Sequence, residues 1–133
     1  MILKKKSESS IGAAKALNEI NYYSSSVHCS YYSCLQLIKH ILLHKYKKSE
    51  DELRNEQEKS GKPSHEYLIN SILIKIRDVS PINFRDVSRE LPALKMARID
   101  ADYKEIEIKK GMSEDAFDKA TELLTTLNMA FKI

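Results

Sequence analysis

Turn-forming residues are scarce in this sequence, with three glycines and three prolines in 133 residues. A sandwich or barrel needs a turn about every 8–12 residues, so the counts argue against both and favour a few long helices. Tryptophan is absent, and there are only two cysteines, Cys29 and Cys34. They fall five apart within one expected helix, where their side chains point about 140° apart. That geometry does not suit a disulfide. No Cys-x-x-Cys or zinc spacing exists, and two unpaired thiols fit a reducing compartment. Long apolar runs are missing too. Nothing approaches the roughly 18 residues of a membrane span, and the basic start Met1–Lys6 has no apolar stretch behind it to make a secretory signal. The expectation is a cytoplasmic protein that engages no membrane. Charge of one sign is also lacking: 22 basic residues against 19 acidic leave +3. Bulk electrostatics therefore does not mark a nucleic-acid binder.

What is present is an ordinary globular balance, 42% hydrophobic and 31% charged. The length predicts one domain over residues 1–133, large enough to fold without a metal or disulfide. Apolar periodicity predicts an all-α, antiparallel bundle of four to five helices. The first helix starts near Ser7–Ser10 and carries Ile11, Ala14, Leu17 and Ile20. The second runs from about Tyr22 to Tyr46 and is apolar over so much of its girth that it belongs at the centre. Residues 47–63 are strongly polar, with Leu53 the single aliphatic, and read as a long mobile connection with at most a helical turn around Asp51–Lys59. Ser64 is the expected cap of the third helix. The fourth spans about Ile82 to Lys109, with a kink or break expected just before Pro92. The fifth begins at Ser113 as N-cap and carries Ala116, Ala120, Leu123, Leu127 and Phe131. On the second helix Leu35, Leu37, Leu42 and Leu43 lie outside a single stripe, an apolar surplus that predicts a homodimer.

Few residue groups point to chemistry. His40 and His44, four apart on one helix face, have a spacing that can share a metal. No carboxylate accompanies them, and no Glu-x-x-His motif of a di-iron bundle occurs, so they read as histidines flanking the apolar stripe. Neither a metal nor a cofactor is expected. Ser24, Ser25, Ser26 and Ser30 near His28 read as small spacers between helices rather than nucleophiles, because a triad is defined by geometry and not by sequence proximity. Tyr22, Tyr23, Tyr31 and Tyr32 are four of the seven tyrosines and read first as core or core-edge residues with hydroxyls that need partners. The richest stretch is Arg98-Ile99-Asp100-Ala101-Asp102-Tyr103. Arg98 and Asp102 are spaced to pair. Arg98 also lies four after Leu94, which continues the edge of the apolar stripe. The expectation is a partly buried cleft of Arg98, Asp102 and Tyr103, with Tyr31 and Tyr32 as hydrogen-bond partners.

The order of several fragments carries a family resemblance. Ala14–Asn18 lies in the first helix, Ser30-Tyr31-Tyr32-Ser33-Cys34 and then Lys39-His40-Ile41-Leu42-Leu43 in the second, Ser64-His65 opens the third, and Arg98–Tyr103 lies in the fourth. Together they resemble the small stand-alone branch of the HEPN domain family. That branch shows a YYA-like step before an apolar run, a His before helix three and an R-x-x-A-D-Y signature in helix four. The resemblance implies a helical, homodimeric bundle. It also implies one of two roles: a metal-independent endoribonuclease toxin, or a partner of a minimal nucleotidyltransferase in a toxin–antitoxin-like pair, with a nucleotide or RNA as ligand. The ribonuclease motif is Arg, four to six residues, then His. Here those slots are Tyr103, Lys104 and Glu105, and no histidine follows His65. Imidazole is the side chain that titrates near neutrality, and a phenol near pKa ~10 replaces it poorly. The reading is therefore a non-catalytic, homodimeric interaction or nucleotide-binding module with no catalytic residue assigned. The alternative is a ribonuclease with a displaced histidine, His65 or His28, brought to Arg98 by the fold.

Overall fold

A computed structural model describes all 133 residues. It is all-helical, with α1 (Ile2–Glu19), α2 (Tyr23–His44), α3 (Glu50–Ser60), α4 (Ser64–Val79), α5 (Pro81–Tyr103) and α6 (Lys110–Phe131). The antiparallel bundle expected from periodicity is thus present, with one helix more than four or five.

α1 starts at Ile2, ahead of the serines expected to cap it. No breaker precedes them, and Lys4–Lys6 and Glu8 are good helix formers. Asn21 adopts φ 65° between α1 and α2, a conformation Asn tolerates better than most residues. That tight link folds α1 back along α2. Small residues line the seam: Ser7 Oγ donates to the Ser33 carbonyl at 2.6 Å and Ser26 Oγ to the Ala14 carbonyl at 2.8 Å. All three serines are buried; of the four serines read as spacers, Ser26 and Ser30 are buried, whereas Ser24 and Ser25 are exposed.

α2 is the central helix, in contact with α1, α4, α5 and α6. Val27, Tyr31, Cys34, Leu35, Leu37, Ile38, Ile41 and Leu42 are buried on it. Leu35, Leu37 and Leu42 are therefore covered within one chain, and Leu43 packs half-buried against the same core. The apolar surplus that motivated a homodimer is absent from this helix, because four neighbouring helices share its circumference.

The segment expected to be a mobile connection is α3. Its local signals suffice without an apolar stripe. Ser49 accepts from the Glu52 amide at 3.0 Å, Glu50, Asp51 and Glu52 occupy the first turn, and Gly61 at φ 72° ends the helix. Leu53, 5% exposed, anchors it to the core, and Tyr67 Oη of α4 donates to Glu56 Oε2 at 2.7 Å.

α4 starts with Ser64 as its first helical residue and Pro63 in the cap position. α5 runs through Pro92 as one helix, so of the kink or break expected there the break is absent. Pro92 is exposed, and fully buried Leu91 and Leu94 pin the helix on both sides of it. α5 stops at Tyr103 rather than Lys109, and Ile108 tucks into the core before α6 begins. Ser113 is not the cap of α6: it lies inside the helix, fully buried, and donates to the Asn18 side chain and the Tyr23 carbonyl.

Candidate functional site

Antiparallel packing brings the N-terminal half of α2, the first turn of α4 and the last turns of α5 to one end of the bundle. Leu91 and Leu94 anchor α5 in the core, and Arg98, one turn beyond Leu94, follows them inward and is 7% exposed. Around its guanidinium stand Tyr31 and Tyr32 from α2, His65 from α4 and Tyr103 from its own helix. The guanidinium carbon lies 5.1, 5.4 and 5.5 Å from the Tyr31, Tyr32 and Tyr103 ring centres, within cation–π range. All five residues expected in the cleft are therefore together, and the Arg98 side chain is buried as expected.

Two histidines complete the group. Arg98 Nη2 lies 3.2 Å from His65 Nδ1 and donates to Tyr32 Oη at 3.4 Å. Guanidinium only donates, so His65 Nδ1 presents its lone pair and the ring carries its proton on Nε2. Tyr31 Oη reaches the same nitrogen at 3.1 Å. Burial, then the charges of Arg98 and Lys95, push the His65 pKa down. Burial raises that of Tyr31 to about 12, against the opposing pull of Arg98. Both groups are therefore neutral at pH 7.

The Arg98–Asp102 pair differs from its sequence expectation. The closest approach is 3.8 Å, too long for a hydrogen bond. The Asp102 carboxylate instead accepts from His28 Nδ1 at 2.8 Å. Although residue 102 as a whole is exposed at the helix end, its side chain is only 19% exposed. His28, 47% exposed at its side chain, stacks on Tyr32 with ring centres 4.6 Å apart. With Nδ1 donating to Asp102, the other ring nitrogen, Nε2, has no protein hydrogen-bond partner. An open hollow of about 400 Å³ adjoins this pair, lined by Ser24, Ser25, His28, Cys29, Ala101 and Asp102. Burial, then the Asp102 charge, raises the Cys29 pKa, which makes that thiol a poor nucleophile.

Arg98 is consequently a buried cation with its charge incompletely matched. Its Nε has no hydrogen-bond partner, its Nη1 has only the distant Asp102, and the other near groups are neutral. Burying a charge without close pairing costs several kcal/mol, and an arriving anion would recover much of that. Sequence reasoning named His28 and His65 only as displaced candidates and did not include them in the cleft. Periodicity gave no signal for either, since each contact joins different helices, across 33 positions for His65 and Arg98 and 74 for His28 and Asp102. No protein-family model, curated protein or solved structure matches the chain.

Proposed function

We propose that this protein is a HEPN-like interaction module that holds the phosphate of a nucleotide or RNA on Arg98, as a homodimer paired with a minimal nucleotidyltransferase in a toxin–antitoxin-like system. The observation that carries the reading is the under-neutralised Arg98 guanidinium, packed among tyrosine rings with Nε unsatisfied and Nη1 no nearer than 3.8 Å to the Asp102 carboxylate. Guanidinium matches phosphate oxygens in a planar, two-point geometry. The 75%-exposed Tyr103 offers its ring to a base beside it. The homodimer and the partner enzyme rest on the family resemblance. Fluorescence anisotropy with a labelled single-stranded RNA and with a labelled ATP analogue tests the reading. Binding that weakens with salt and is lost in Arg98→Met is the expected result. Failure of both probes to bind wild type at tens of micromolar overturns it.

A specific observation favours a second reading, the metal-independent endoribonuclease. His28 is fixed through Nδ1 by the same Asp102 oxygen that faces Arg98, which leaves Nε2 without a partner, and in its neutral form that is the arrangement a general base needs. On bound RNA, His28 would take the 2′-hydroxyl proton, the 2′-oxygen would attack phosphorus, and the 5′-oxygen would leave, taking a proton from solvent. The products would be a 2′,3′-cyclic phosphate and a 5′-hydroxyl. Cleavage in EDTA with those end groups, lost in His28→Gln, distinguishes this reading from binding alone.

A further inference from the structure

The run Ser24-Ser25-Ser26 divides at the start of α2. Ser26 is buried against α1, whereas Ser24 and Ser25 are exposed and line the hollow beside His28 and Asp102. Ala101 of α5 is a third small residue in its lining. Small side chains thus hold open a space of about 400 Å³, within the range of about 300–1,000 Å³ typical of small-molecule sites. Asp102 supplies the only carboxylate there.

The two oxygens of that carboxylate are used differently. Oδ2 accepts from His28 Nδ1 at 2.8 Å and is also the oxygen that faces Arg98 Nη1 at 3.8 Å. Oδ1 receives no hydrogen bond from the protein. An ionised carboxylate only accepts, so Oδ1 calls for a donor. Arg98 opposes a cation there and the carboxylate itself opposes an anion, which leaves a neutral O–H or N–H. A phosphate held on Arg98 limits how far away that donor can be. Within a nucleotide the 2′-hydroxyl is the donor nearest a 3′-phosphate, because it sits on the adjacent carbon of the sugar. It lies further from the 5′-phosphate, and the donors of the base lie further still. Carboxylates read ribose hydroxyls in the same way in dinucleotide sites.

We propose that Asp102 is a specificity-determining residue: its Oδ1 accepts from the 2′-hydroxyl of a ribose whose 3′-phosphate sits on Arg98, and that nucleoside lodges in the hollow of Ser24, Ser25 and Ala101. The inference rests on the reading of Arg98 as the phosphate holder and narrows its ligand to a ribonucleotide chain with a free 2′-hydroxyl, in preference to DNA or a nucleoside 5′-phosphate. It holds whether or not the chain is cleaved. RNA and DNA of one sequence carry the same phosphate charge, so Arg98 alone does not distinguish them. The 2′-hydroxyl is the group that does.

The test is fluorescence anisotropy of the protein with labelled single strands of one sequence: RNA, DNA with deoxyuridine in place of uridine, and 2′-fluoro RNA, which keeps a substituent on the sugar but has no donor. RNA should bind at least about tenfold tighter than either of the others, as loss of a hydrogen bond to a charged group implies. Unlabelled 3′-AMP should displace the RNA at about tenfold lower concentration than 5′-AMP. Asp102→Ala should narrow the RNA-to-DNA ratio to within about twofold, since it removes the acceptor and also relieves the negative charge beside Arg98 that DNA phosphates meet. The comparison of strands on wild type needs no variant to fold. Equal binding of the three strands, still lost in Arg98→Met, overturns the proposal and leaves the phosphate reading standing. Binding of none of them at tens of micromolar overturns that reading and this one with it. Asp102→Ala with the wild-type preference for RNA overturns the assignment to Asp102, and equal competition by 3′-AMP and 5′-AMP overturns the placement of the ribose.

Discussion

His28 Nδ1 and Asp102 Oδ2, 74 positions apart in sequence, lie 2.8 Å from each other. The carboxylate accepts from the imidazole and so selects its tautomer. Long-range ¹H–¹⁵N spectra should find the His28 proton on Nδ1 in wild type. Asp102→Asn, whose amide can donate, should move the proton to Nε2. If the site cleaves RNA, the same variant should lose about 10²–10⁴-fold in rate while RNA affinity changes only a few-fold. A His28 tautomer unaffected by Asp102→Asn would show that the carboxylate does not control the ring.

Arg98 separates stability from function. Its removal leaves no carboxylate stranded, because Asp102 keeps His28 as partner. Replacing a poorly paired buried charge with an apolar side chain of similar length is commonly neutral or stabilising. Arg98→Met should therefore melt at or above the wild-type temperature, with stability unchanged or raised by about 1–4 kcal/mol, while phosphate-ligand binding is abolished. A variant that unfolds several degrees early would make Arg98 a structural residue instead.

The sequence carries the fold more legibly than the site, for a physical reason. Periodicity reports which face of a helix is apolar, so the core positions of α2, α4 and α6 were readable from Ile38, Ile72 or Leu123. Polar helices escape that test. α3 has one buried residue, Leu53, and its evidence lies in Ser49, the acidic first turn and Gly61, which outweigh its missing stripe. Pro92 suggests a possible break that is absent, since its exposure and the buried leucines flanking it let α5 continue. At the cleft, the phase of Arg98 after Leu94 was enough to bring it inward. The pairing of Asp102 was not, because the i,i+4 rule considers one helix and His28 competes from another.

The two histidines with lowered pKa predict how stability responds to acid. His65 and His40 both lie below the ordinary value of 6.5 in the folded chain, each chiefly through burial. Above about pH 6.5 both are neutral whether folded or unfolded, and their contribution is fully present. As pH falls below that value, the unfolded chain takes up protons first, so stability declines until the folded-state histidines also titrate. Urea melts between pH 8 and 5 should show this loss, and the double variant His40→Gln/His65→Gln should flatten that part of the profile. Protonation of His65 also puts a donor on Nδ1 against Arg98, so phosphate-ligand binding should change across the same window.

α3 provides a final test, of local rather than global stability. Leu53 is its one buried residue, and the helix otherwise holds to α4 through the Tyr67–Glu56 hydrogen bond and to Lys39 of α2 through Glu50 at 3.0 Å. Exposed ion pairs contribute little, so the docking of α3 rests mainly on one leucine. Leu53→Ala removes about 2–3 kcal/mol of burial, enough to detach α3 while the rest of the core remains packed. Hydrogen exchange should then accelerate across residues 50–60 and leave the amides around Ile38, Ile72 and Leu127 protected. Gly61→Ala should act more weakly, by about 1 kcal/mol, because an alanine at φ 72° is strained although space is open around it. Equal acceleration throughout the protein in Leu53→Ala would mean that α3 unfolds only with the whole bundle.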